Sequence, residues 1–230
     1  MNSAVSAAPL DFFISARTQS CTARSRIHRF LGRSLLLGRS LRTPALRIVA
    51  GVVSTSDHIH VRTVGDEPQL AGGLADVLVD CVDGGASVSF MWPLPRRKAL
   101  DFWGRVIESA KRGERTLLVA EDTAGEVQGT VQVVFDLPEN QPHRCDIAKM
   151  LVHRRARCRG VGTALMVAAE SAARAAGRTL LVLDTVTGAD GERLYARLGW
   201  QPAGIIPGYA LWPRGGRCDT TFFYKVIPER

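Results

Sequence analysis

From residue 60 onward the chain alternates short apolar runs with amphipathic stretches. His60-Val61-Arg62-Thr63-Val64 has the period-two alternation of a strand, and residues 68–82 then place Leu70, Leu74, Val77, Leu78 and Cys81 at helical spacing. Asp83-Gly84-Gly85-Ala86 breaks that helix. A second helix is expected over 95–112, with Pro95 near its first turn and Gly113 past its end. The β-rich runs 115–121 and 126–136 are joined by Asp122-Thr123-Ala124-Gly125, a hairpin signal. Further strands are expected over 145–152, 179–185, from about 201, and over 220–227, with helices over 161–176 and 192–198. In the helix that starts at 161, Val161, Leu165, Ala168, Ala169 and Ala172 share one face, and Glu170, Ser171 and Arg174 point away from it. The order β-α-α-β-β-β-α-β-α-β-β predicts the α/β class, with a mixed (α+β) sheet carrying helices on both faces.

Charge changes the picture mainly by where it lies. The formal net charge is +8, but residues 1–56 hold eight arginines against one acid, Asp11, leaving 22 basic and 21 acidic side chains in residues 57–230. The electrostatic case for a nucleic-acid partner therefore fails for the folded part. Residues 1–56 read as an Arg/Ser-rich, disordered extension, and residues 57–230 as one domain able to bury a substantial core. The extension has the composition of an organellar transit peptide. Because Arg outnumbers Lys 26 to 4, it equally suits GC-rich upstream sequence attached by a misplaced start. Residues 34–53 are interrupted by Arg39, Arg42, Pro44 and Arg47, short of the roughly 20 apolar residues that cross a bilayer, so no membrane partner is expected. Five cysteines, odd in number and without a C-x-x-C pair, suit a cytoplasmic compartment, or an organellar matrix if the extension is a transit peptide. His58, His60, His143 and His153 have no Cys or carboxylate at metal-site spacing, and no metal is expected.

The candidate chemistry sits at Arg157-Cys158-Arg159-Gly160-Val161-Gly162, between the strand ending at Val152 and the helix over 161–176. The first turn of a helix carries amides without intrahelical partners and the positive end of the dipole, so anions bind there. Gly160 and Gly162 leave room for a phosphate, while Arg157 and Arg159 attract it from a distance. The spacing R-x-x-G-x-G is neither the dinucleotide fingerprint nor a P-loop.

This motif, the element order around it, and Tyr195-Ala196-Arg197-Leu198-Gly199-Trp200 together resemble the GNAT superfamily of N-acetyltransferases over residues 59–227. Residues 84–91, Leu183-Asp184-Thr185 and Ile206-Pro207-Gly208-Tyr209-Ala210 look more narrowly like the tabtoxin resistance protein group of acetyltransferases. The resemblance implies transfer of acetyl from acetyl-CoA, a co-substrate, to a primary amine of a small molecule, by direct attack in a ternary complex. Antibiotic or toxin resistance is the implied setting, and a monomer or homodimer the implied assembly. A catalytically weak acyl-CoA-binding module and a peptide N-terminal acetyltransferase stay open as alternatives.

The resemblance also assigns roles. Asp146 and Asp184 would hold the cationic amine and take its proton, which an amine with a pKa of about 10.4 must lose before it attacks. Glu is commoner at the position of Asp146. Tyr195 would protonate the departing thiolate. Leu151 and Val152 would offer backbone groups to the pantetheine arm and the acetyl carbonyl, and Arg157, Cys158, Arg159, Gly160, Val161, Gly162 and Thr163 would hold the diphosphate. Gly85, Ala86, Ser87 and Tyr209 would line the amine side, with Trp92 and Trp103 as candidate walls or core residues. Where the family often has Pro two residues after this valine, the chain has Arg154.

Overall fold

Nine strands pair into one sheet in the order β1-β2-β3-β4-β5-β6-β7-β9-β8. The strands are β1 (Arg47–Val49), β2 (Val52–Ser54), β3 (His60–Thr63), β4 (Arg115–Glu121), β5 (Val127–Val134), β6 (Arg144–Val152), β7 (Leu180–Val186), β8 (Gln201–Leu211) and β9 (Arg217–Val226). The helices are α1 (Ala71–Asp83), α2 (Arg96–Lys111), α3 (Val161–Ala175) and α4 (Asp190–Arg197). The structure, a computed structural model, describes residues 47–49, 52–54 and 59–228, with side chains from Ile59 on. Apart from β1 and β2, the expected extension over 1–56 lies outside the described residues. Among the described residues no helix is long and apolar enough to cross a membrane.

Every neighbouring pair is antiparallel except β6 and β7, whose parallel pairing requires the crossover supplied by α3. Both faces of the sheet centre are covered, which explains why β4 reads as a continuous apolar run rather than an alternation. Leu118 and Ala120 pack with Leu165, Met166 and Ala169 of α3 in one core cluster. Leu117 and Val119 pack with Leu74, Leu78, Phe102, Trp103 and Ile107 of α1 and α2 in the other. The buried face of α3 is broader than expected: Ala164, Met166 and Ala173 are buried, whereas Ala168 and Ala172 are half-buried.

Three boundaries differ from the sequence expectation. A 3-10 turn at Pro68–Leu70 precedes α1, because proline has no N–H for a ladder and opens the turn at its first position. The helix α4 starts at Asp190, where Asp190 and Glu192 in the first turn favour the dipole. The strand β8 takes in Tyr209, expected to line the amine side, as part of an exposed edge strand paired only with β9.

The close approach of β5 and β6 turns on Gly129, where an added Cβ would meet the Leu151 carbonyl oxygen at 2.7 Å and Leu165 Cδ1 at 3.1 Å. Gly129→Ala is therefore expected to lower stability by about 1–3 kcal/mol through overpacking, read as a fall in Tm.

Candidate active site

The parallel pairing of β6 with β7 lasts for three residues, Arg144↔Leu180, Cys145↔Leu181 and Asp146↔Val182. Beyond it, β7 continues against β9 as far as Val186, while β6 stays with β5 as far as Val152. The strands therefore fork after Asp146. Asp146 stands level with Val182 and Asp184 lies two residues further on, so the period-two alternation puts both carboxylates on one face. That is the α1/α2 face, since Leu181 and Leu183 belong to the opposite core.

On the other arm, the β5 register jumps between Thr130 and Gln132, so that Val131 faces two residues, Lys149 and Met150. Lys149 takes up this bulge in the left-handed region, at φ 50°. Beyond the bulge, the His153 N–H donates to the Gln128 carbonyl at 2.9 Å. By antiparallel alternation Leu151 exchanges hydrogen bonds with Thr130, and Val152 turns its own N–H and carbonyl away from β5, into the fork. Of the two residues expected to offer backbone groups there, Val152 is placed to do so and Leu151 is not. The Val152 carbonyl accepts from Arg157 Nε at 3.2 Å, which leaves the N–H directed into the gap.

The segment expected to hold the diphosphate, residues 157–163, follows. Gly160, at φ 81°, occupies the left-handed position that opens α3, and no side chain caps that helix end. Gly162 is needed for packing, since a Cβ there would meet Leu194 Cδ2 of α4 at 3.2 Å. Val161 is buried, Thr163 half-buried, and Cys158 and Arg159 are on the surface. Arg154 explains the missing proline: its N–H and Nε each donate to the Asp80 carboxylate of α1 at 2.8 Å, lashing the 3-10 turn Arg154–Ala156 to that helix. The residues fit a diphosphate: the start of α3 has no side-chain cap and exposed Arg159 stands beside it, while Arg154, Arg155 and Arg157 are engaged with Asp80, Gln128 and the Val152 carbonyl. Among the described residues no group of three His, Cys, Asp or Glu side chains could hold a metal ion.

Asp146 is buried and accepts from Arg144 Nη1 at 2.7 Å. Burial lifts its carboxyl to about 6, against the opposing pull of the Arg144 charge. Tyr195 is buried between Trp200 and Phe223, with ring centroids 6.1 and 5.9 Å away. Burial, then the Asp184 charge, raise its phenol well above the usual range, so it is fully protonated at neutral pH. Tyr209 stacks edge-on against Phe222 at 5.5 Å, and burial followed by the same aspartate raises its phenol too.

The amine-side segment departs from expectation. Ala86 is a core residue, and Gly85 holds a left-handed turn at φ 84°. Ser87 Oγ donates to the Leu211 carbonyl at 2.8 Å, and the Trp92 N–H to the Pro213 carbonyl at 2.9 Å, which ties the α1–α2 connection to the β8–β9 hairpin as a roof. The residue of this segment that reaches the fork is Ser89, whose Oγ accepts from Lys149 Nζ at 3.0 Å. Trp103 is core, and Trp92 is an exposed ring under the Arg214 guanidinium at 3.8 Å. Sequence reasoning missed Lys149, which its position between apolar Ala148 and Met150 in a strand marked only as a lone charge.

The family model for the acetyltransferase (GNAT) family matches residues 86–200, half of the 230-residue chain. The chain belongs to this family. The fold agrees. The GCN5-related N-acetyltransferase of Kribbella flavida is 21% identical, with 75% of this chain and 100% of that one covered at a TM-score of 0.63. The ribosomal-protein-alanine N-acetyltransferase of Brucella melitensis is 20% identical, with 73% and 99% covered at 0.63. The protein yncA of Salmonella typhimurium, solved with its cofactor acetyl-CoA, is 18% identical, with 75% and 96% covered at 0.63.

With a folded-state carboxyl near 6 and the usual 3.8 when unfolded, Asp146 binds more proton in the folded enzyme between those values. Stability contributed by this group is thus lost as pH rises through that window. Arg144→Met removes the charge that holds the carboxyl down, and is expected to shift its titration above 6, measured by side-chain carboxyl NMR.

Proposed function

We propose that the enzyme transfers acetyl from acetyl-CoA to a primary amine of a small molecule, an amino acid or an amino-acid-like toxin, by direct attack in a ternary complex. The observation that carries this reading is the fork, with two carboxylates on its acceptor face, one of them lifted to about 6, beside a backbone N–H aimed into the gap.

The cofactor supplies a thioester as acyl donor. The uncapped start of α3, with Arg159 beside it, holds the diphosphate end, and the Val152 N–H stabilises the negative charge that develops on the carbonyl oxygen. Asp184 draws the protonated amine toward the fork. Asp146 takes its proton, directly or through a water that makes up for the methylene by which Asp is shorter than Glu; a carboxylate titrating near 6 is ionised at neutral pH yet basic enough to accept. Tyr195 keeps its proton until the sulfur leaves and then supplies a hydrogen bond or the proton itself. Resemblance to the tabtoxin resistance group supports the amino-acid-like acceptor. The Brucella likeness would instead suit a peptide N-terminus, but at 20% identity it speaks for the fold alone.

Tyr195→Phe is expected to lower kcat roughly 100-fold, with coenzyme A affinity by calorimetry unchanged; a full-rate variant removes the tyrosine from the chemistry. In the wild type, kcat/KM should fall as pH drops through about 6, because the proton acceptor is then filled. Asp146→Asn should abolish that limb along with most activity, as a pH–rate profile would record.

A further inference from the structure

Three described residues other than glycine have a left-handed backbone: Ser89 at φ 73°, Lys149 at φ 50° and Cys158 at φ 62°. Side chains with a Cβ seldom adopt this conformation, and where they do it clusters at functional sites. Two of the three meet at the fork, where Lys149 Nζ donates to Ser89 Oγ and lies 5.8 Å from the Phe102 ring centroid. Lys149 is only 3% exposed, so the bulge delivers an ammonium to the interior of the same face that carries Asp146.

A second observation is independent. Gln132 of β5, 1% exposed, pairs with Ala148, next to the bulge. Its Oε1 accepts from Arg115 Nη1 at 2.7 Å, which fixes the amide orientation because a guanidinium can only donate. The Nε2 is left as a buried donor with no protein partner. Buried donors in this condition call for an explanation, and an acceptor oxygen brought by a ligand provides one.

We infer that Lys149 and Gln132 recognise a carboxylate on the acceptor, so that the enzyme binds its amine as a zwitterion. The inference rests on the acetyl-transfer reading above and names its acceptor class. An α- or β-amino carboxylic acid places its ammonium toward Asp146 and Asp184 and its carboxylate toward Lys149 Nζ and Gln132 Nε2. Asp146 and Lys149 lie three positions apart on one strand, about 10 Å between their Cα atoms, within reach of the two ends of one small zwitterion once side-chain length is allowed for.

The test measures coenzyme A thiol release by the full chain with the twenty L-amino acids, each beside its own carboxamide, which keeps the amine and removes the anion. Preferred acids are expected to show KM at least tenfold below their amides. Lys149→Met should erase that preference by raising the acid KM to the amide value, and Gln132→Leu should reduce it in the same direction, with Tm and coenzyme A affinity recorded for both. Amides used as well as acids by the wild type would overturn the carboxylate subsite and leave acetyl transfer standing. A preference that survives in Lys149→Met would overturn it as well, and make the lysine a brace for the bulge. No thiol release with any amine, while coenzyme A still binds, would overturn the transfer reading and the subsite with it.

Discussion

Backbone hydrogen bonding imposes the constraint on which the active site depends. Two parallel strands that pair for three residues and then part leave polar backbone groups facing a gap, and such groups are costly unless something accepts or donates to them. The chain meets half of that demand itself, with the Arg157 guanidinium on the Val152 carbonyl. The other half, the Val152 N–H, faces the gap, where in the proposed reaction it would meet the acyl carbonyl. On that proposal, cofactor binding and polarisation of the reacting bond would be one interaction at one amide.

The remaining parts are held to that gap by packing rather than by the chemistry they perform. Leu194 of α4 closes on Gly162 and so sets α4, with Tyr195, against the mouth of α3. Arg154 grips Asp80, joining the cradle turn to the helix beneath the roof. Asp146 has its proton affinity set by depth in the sheet more than by its neighbour Arg144.

Much of this was legible in the sequence where local pattern and local structure coincide. The element order, the hairpin at 122–125 and the glycine-marked start of α3 follow from periodicity and punctuation, and the two aspartates fall on one face by strand alternation alone. What could not be read depends on register between distant segments. A bulge at Lys149 slips one residue against β5 and leaves no mark in an apolar run, so neither the lysine nor the different fates of Leu151 and Val152 could be foreseen. Ala86 and Ser87 carry the likeness of an acceptor rim, yet tertiary contacts send one into the core and the other to β8. Arg157 looked like an outward phosphate attractor and instead folds back on the strand before it.

The roof over the acceptor side is fastened by contacts that span more than a hundred residues, from Ser87 to Leu211 and from Trp92 to Pro213. The hairpin that fastens this roof also supplies β9, which pairs with β7 from Leu180 to Val186 and packs Phe223 against Tyr195. The open arm of the fork and the cover above it are thus finished by the same late stretch of chain, and neither can take its final form until residues 201–226 have been made.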